Sequence, residues 1–147
     1  AYPVINSGRR GETSSDALAR VEADVLAHNP RLVIVLLGGN DFLQQIPLEE
    51  TRIHLGEIIR RIHEGGAMVV LVGMRLGLFT DEYGPLYKEM AEKHRALLIP
   101  EALKGILSDP RLRSDPIHPN AAGYRLLAKT ILDSIKPLLA EADRNRN

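Results

Sequence analysis

Apolar residues in this chain follow two rhythms that alternate along its length. Leu32-Val33-Ile34-Val35-Leu36-Leu37 and Met68-Val69-Val70-Leu71-Val72 are unbroken apolar runs, rich in β-branched side chains and too short for buried helices. Each ends in glycine, at Gly38-Gly39 and at Gly73. Runs of this kind read as strands covered on both faces, and such strands belong to parallel sheets. Leu97-Leu98-Ile99-Pro100 is a shorter third run. Tyr2-Pro3-Val4-Ile5-Asn6 is another, limited by Pro3 to an edge strand or a strand start. Helical spacing fills the gaps. Thr13 to Asp16 has capping-box spacing and opens a helix that buries Leu18, Val21 and Val25 and stops near His28, before Asn29-Pro30. Pro47 with Glu49 and Glu50 opens a second, whose stripe of Leu55, Ile58, Ile59 and Ile62 closes at Gly65-Gly66. A third is expected near Tyr83 to His94, and a short helix with an irregular loop over Glu101–Leu112. The last runs from Pro119 to about Leu139 with Tyr124, Leu127, Ile131, Ile135 and Leu138 on one face. Strands alternating with helices give βαβ units and a three-layer α/β/α sandwich around a parallel sheet.

Composition narrows the classes. The 147 residues fit one domain, and 44% apolar with 26% charged residues argues against disorder. Nineteen basic side chains balance 19 acidic ones, so nothing favours nucleic acid or an anionic membrane surface. No apolar run approaches the ~18 residues of a membrane span. Absence of cysteine excludes disulfides and thiol catalysis, and is compatible with cytoplasm or periplasm. No methionine or signal-like stretch precedes Tyr2, and the chain opens almost inside a strand, the pattern of a processed or truncated product.

Two stretches carry candidate chemistry. Gly38-Gly39-Asn40-Asp41 follows the carboxyl end of an apolar strand, where open α/β sheets place their sites. The glycines allow a sharp turn and close approach of another group, and the Asn40 amide offers two N–H donors suited to a developing oxyanion. Taken alone, the tetrapeptide also reads as an ordinary Gly-Gly turn. The second stretch is Ser114-Asp115-Pro116-Ile117-His118-Pro119-Asn120. Two prolines stiffen it, so Asp115 and His118, three apart, can meet. A carboxylate beside imidazole fixes its tautomer and favours the imidazolium formed on taking a proton, while a helix N-terminus opposes that charge. Alone, this stretch also reads as a solvated helix cap. Glu50, His54 and Glu57 have metal-ligand spacing but are better read as a solvated helical face. Gly38-Gly39 lacks the dinucleotide G-x-G-x-x-G spacing, and the Arg9-Arg10 pair suits an anionic head group or plain solvation. Leu76, Leu78 and Phe79 follow the second buried strand on a loop, suited to line an acyl pocket or to cap the core.

In combination the two stretches resemble the SGNH (GDSL) hydrolase family, in particular its bacterial lysophospholipase, thioesterase I and arylesterase branch. Gly8-Arg9-Arg10-Gly11-Glu12-Thr13-Ser14 looks like the family's second block, Gly38-Gly39-Asn40-Asp41 like its third, and Asp115-Pro116-Ile117-His118-Pro119 like its fifth. The resemblance implies a flavodoxin-like parallel sheet and hydrolysis of carboxylic esters or thioesters through an acyl-serine intermediate, without metal or cofactor. It implies His118 as general base, Asp115 as its orienting partner, and Gly11 (backbone N–H) and Asn40 (side chain) as the oxyanion hole. Gly39, Leu76 and Phe79 are the positions expected to meet a small-molecule acyl ester substrate.

One block departs from the family. No Gly-Asp-Ser occurs anywhere, and Asp133-Ser134 falls within the last helix. Ser7, Ser14 and Ser15 lie near Gly11, but Ser14 and Ser15 suit helix capping. The chain therefore reads as such a hydrolase with its first strand, first helix and nucleophile missing. Its other reading is a non-catalytic α/β binding module or a partner-dependent fragment. By the resemblance, the missing strand lies between Val4-Ile5 and Leu32–Leu37. The slot is then filled by an N-terminal segment, by another chain, or by Tyr2–Asn6 moving inward, because an open edge of buried peptide groups is costly.

Overall fold

The computed structural model describes residues 2–77 and 79–144. Leu78, one of the apolar loop positions considered above, lies outside the described residues. Three parallel strands form the sheet: β1 (Leu32–Val35), β2 (Met68–Val72) and β3 (Leu97–Ile99), in the order β1-β2-β3. Val33 sits beside Val69 and Val35 beside Leu71, and on the other side Val70 faces Leu97 and Val72 faces Ile99. The helices are α1 (Ser14–Asp24), α2 (Gly39–Leu43), α3 (Leu48–Glu64), α4 (Tyr83–His94) and α5 (Ala121–Arg144).

β2 explains the layering. Its side chains alternate between faces, and all but Met68 are buried. Val69 and Leu71 join the α3 stripe, Val21 of α1, and Leu86, Tyr87 and Met90 of α4. Val70 and Val72 pack on the opposite face with Ile99, Ala102, Ile106, and Leu127 and Ile135 of α5. The α3 stripe is as expected: Leu55, Ile59 and Ile62 are fully covered. α1 opens with the expected capping box, Thr13 accepting from the Asp16 N–H while the Asp16 carboxylate accepts from the Thr13 N–H.

Several expectations are corrected. Tyr2–Asn6 forms no strand. Val4 and Ile5 remain exposed, Asn6 turns the chain by accepting from the Gly8 N–H (3.0 Å), and Ser7 donates to the Asp24 carbonyl (2.8 Å). The segment is fastened by side chains and does not move inward to pair with β1. β1 is also shorter than the apolar run and is not covered on both faces: Ile34 and Leu36 are each 42% exposed. Its outer edge pairs with no described residue. α1 ends at Asp24, and a 3-10 turn over Leu26–His28 carries the chain to Asn29, whose positive φ of 49° closes the unit. Glu101–Leu112 holds consecutive turns in place of a short helix, with Gly105 at φ 77°. On α5, Tyr124 is exposed, whereas Leu127 and Ile135 are buried as expected.

Gly38 is the tightest backbone position beyond β1. Its φ of 110° disfavours any side chain, and a Cβ there would lie 2.4 Å from the Tyr87 hydroxyl oxygen. That hydroxyl donates to the Leu37 carbonyl at 2.7 Å, so the turn is pinned from α4. Gly38→Ala is expected to cost about 2 kcal/mol or more, read by urea denaturation. Combining it with Tyr87→Phe, which removes the crowding oxygen, should cost less than the sum of the two single changes. Strict additivity would show that the hydroxyl does not set this turn.

Candidate active site

The Asp115–His118 pair is built locally. Arg113 bridges Pro119 in antiparallel fashion, and the Ser114 N–H donates to the His118 carbonyl at 2.9 Å, closing a tight loop. Asn120 ends it: its side-chain oxygen accepts from the Ala122 and Gly123 N–H groups (2.9 and 3.1 Å), capping α5, while its amide donates to the Arg111 carbonyl (2.8 Å). Gly123 lets the helix start this close, since a Cβ there would stand 2.1 Å from the Leu112 carbonyl oxygen. Within the loop Asp115 Oδ1 accepts from the Ile117 and His118 N–H groups at 2.8 and 2.9 Å. Asp115 Oδ2 lies 2.8 Å from His118 Nδ1. A carboxylate can only accept, so Nδ1 carries the hydrogen and Nε2 is left as a lone-pair base. The pair is about half exposed, at 51% for His118 and 46% for Asp115, and among the described residues no serine hydroxyl bonds to Nε2.

The Asn40 end is built from distant parts of the chain. The Gly-Gly-Asn-Asp segment is not a bare turn: Gly39, Asn40 and Asp41 form the first turn of α2. Asn40 Nδ2 donates to the Glu12 carbonyl at 2.9 Å. One of its two amide hydrogens is thereby used and the other left over. Gly11, next to Glu12, has φ 77°, and its N–H makes no hydrogen bond among the described residues. Two expected oxyanion donors thus come from one small junction. No hydrogen bond joins that junction to Asp115 or His118 among the described residues. Of the expected substrate positions, Gly39 starts α2, Leu76 packs partly buried against the core, and Phe79 is 95% exposed. A groove of about 400 Å³ is lined by Phe42, Leu43, Gln45, Ile46, Leu48, Glu82 and Tyr83, and includes neither Leu76 nor Phe79.

Sequence reasoning missed a buried polar cluster beneath this junction. Asp41 and Ser14 are both fully covered. Asp41 accepts from the Ser14 N–H (2.9 Å), the Ser14 hydroxyl and the Thr51 hydroxyl (3.1 Å), and His54 Nδ1 lies 3.1 Å from Ser14 Oγ. Serine, histidine and carboxylate meet here in the wrong order for catalysis. The Ser14 hydrogen goes to Asp41, so His54 must donate to Ser14 and cannot accept its proton. Ser14 is structural. Ser7 is committed to the Asp24 carbonyl. The available signal was that Thr51 and His54 interrupt the apolar face of α3. Glu57 pairs with Arg60 and Arg61, which hold its carboxyl down to about 2, so Glu50, His54 and Glu57 do not converge.

The Asp115 carboxyl is held below the usual range, first by the Ile117 N–H and then by the His118 ring. With the folded value lowered, the contribution is complete above the ordinary carboxylate range and is lost as pH falls through the lowered one. The loop should therefore stay closed at neutral pH and open only as pH falls below the ordinary carboxylate range. The Ile117 and His118 amide resonances should shift together in that window, and Asp115→Asn should abolish the step. Amides that titrate separately would show that Asp115 does not hold the loop.

The chain is similar over most of its length to known ester hydrolases. The model of the GDSL-like lipase/acylhydrolase family matches residues 1–126. Esterase TesA of Pseudomonas aeruginosa is 31% identical over 147 residues, covering 94% of this chain and 72% of that protein. Thioesterase 1/protease 1/lysophospholipase L1 of Escherichia coli K12 is 28% identical over 142 residues, covering 92% and 68%. The psychrotrophic esterase EstA from Pseudoalteromonas sp. superposes with a TM-score of 0.80 at 26% identity, over 88% of this chain and 74% of that one.

Proposed function

The chain belongs to the GDSL-like lipase/acylhydrolase family, and we propose that it provides the base and the oxyanion donors of an acyl ester or thioester hydrolase. The observation that carries this reading is the Asp115–His118 contact of 2.8 Å, which leaves Nε2 free. In the proposed reaction a serine hydroxyl gives its proton to His118 Nε2 as its oxygen attacks the acyl carbon. Asp115 holds the ring and offsets the charge it gains. The carbonyl oxygen becomes an oxyanion that meets the spare Asn40 N–H and the Gly11 N–H. His118 then returns the proton to the leaving alkoxide or thiolate, and water cleaves the acyl-serine by the same route. Gly39 allows close approach of the acyl group, and Leu76 and Phe79 meet its chain. The acyl esters acted on are of the kinds named for the relatives, lysophospholipids, thioesters and aryl esters.

The nucleophile is not placed by these residues. We therefore read 1–147 as one N-terminally incomplete domain whose open β1 edge takes a further strand bearing it, from an upstream segment or from another chain. A non-catalytic acyl-binding module is the second reading, favoured by the absence of any serine bonded to Nε2 among the described residues.

The 147-residue chain alone should not hydrolyse p-nitrophenyl esters. Adding an upstream segment with a Gly-Asp-Ser-Leu-like block should restore turnover and protect the Leu32 and Ile34 amides, which face away from β2, from hydrogen exchange. In the restored protein His118→Ala should lower kcat by about 10³-fold or more. Robust hydrolysis by the 147 residues alone, surviving Ser7→Ala, would mean that the nucleophile has been misread. An extended protein that binds acyl ester without turnover would favour the second reading.

A further inference from the structure

We propose that Asp41 is a positioning residue: its buried carboxylate sets the direction of the Asn40 amide and its distance from Gly11. The role assigned to those donors rests on the function proposed above, whereas the clamp itself does not.

A carboxylate with no exposed surface is tolerated only when its oxygens are satisfied, and Asp41 accepts three hydrogen bonds. All three reach it as donors, so an amide, with one acceptor oxygen in place of two, breaks the set. Two come from Ser14, the first residue of α1, whose N–H is one of the groups a helix start leaves unpaired. The third comes from Thr51 on α3. His54, one turn further along α3, donates to the Ser14 hydroxyl and holds it turned toward the carboxylate. Asp41 therefore fastens α2 to α1 and α3 together.

The consequence falls on the neighbouring residues. Asn40 precedes Asp41, and its amide reaches the Glu12 carbonyl at 2.9 Å; Glu12 follows Gly11. Two side chains in succession thus grip the 11–14 segment, Asn40 at Glu12 and Asp41 at Ser14. Two adjacent anchors remove the rotation that a single hydrogen bond would permit. The second Asn40 hydrogen and the Gly11 N–H are then fixed relative to each other before any substrate arrives. α2 has only five residues and an exposed Phe42 and Leu43, so its own packing does not supply that rigidity.

The test compares Asp41→Asn, Ser14→Ala and Thr51→Val in the 147-residue chain, by ¹⁵N NMR of the Asn40 side-chain amide and the Gly11 N–H. Asp41→Asn presents an amide to three donors and should move both resonances and speed their hydrogen exchange by at least about tenfold. The Val72 amide in the sheet centre should keep its wild-type position. Ser14→Ala and Thr51→Val should move the same pair by smaller amounts, and they decide the matter if Asp41→Asn does not fold. Variants that are less stable yet keep both resonances in place would overturn the proposal and leave Asp41 as ordinary core structure. A second arm uses the extended, ester-hydrolysing protein. There Asp41→Asn, or Ser14→Ala if that does not fold, should lower kcat by about tenfold or more with KM nearly unchanged. Resonances that move while kcat holds would retain the clamp but remove Asn40 and Gly11 from the oxyanion hole, a failure of the functional reading alone.

Discussion

Burial of β2 on both faces is the constraint on which the rest depends. A strand whose Val69 and Leu71 face one layer and whose Val70 and Val72 face the other cannot shift register by one residue without exchanging its layers. With β2 fixed, β1 and β3 are held parallel on either side, and all three release their connections at the same end of the sheet. The Gly38–Asp41 segment leaves from β1 and the long 100–119 connection from β3. Apolar packing thereby decides where polar chemistry can be displayed, although it contributes none of that chemistry.

The polar features divide by range. Asp115 organises residues two and three positions away, so the imidazole is oriented by a loop that is largely self-contained. The Asn40 junction joins residues 27 and 28 positions apart, through the Ser14–Asp41 and Glu12–Asn40 bonds, and exists only once α1 has docked on the core. Local order here is cheap in loop-closure entropy, and the distant junction relies on the tertiary fold.

That division also explains what could be read from the chain. The α3 stripe, the apolar run of β2, the α1 capping box and the D-x-x-H pairing are short-range patterns with few alternatives, and each appears as expected. Tyr2–Asn6 misled because an apolar run signals a strand only if a sheet edge and a cover await it. Val4 and Ile5 lack that cover. Tyr124 misled for a related reason: it lies in the first turn of α5, outside the packed cluster that holds Leu127 and Ile135. The Asp41 cluster escaped notice because Ser14 already had an adequate local explanation as part of a helix start. Only folding shows that its hydroxyl points into the core.

The open edge of β1 needs a different account from the one its apolar sequence suggests. Unpaired peptide groups are costly when buried, because water cannot replace the missing partner. Here the strand is short, and Ile34 and Leu36 are each 42% exposed, so water reaches this side of the sheet and can satisfy the peptide groups. The cost shifts from hydrogen bonding to apolar surface left wet, at about 25 cal/mol per Å². That penalty is milder, and it is distributed over side chains that a further strand would cover. An edge of this kind is compatible with a folded sheet while still favouring strand addition. The same addition would bring a new carboxyl end beside Gly38, within the neighbourhood that Asn40 and Gly11 already define.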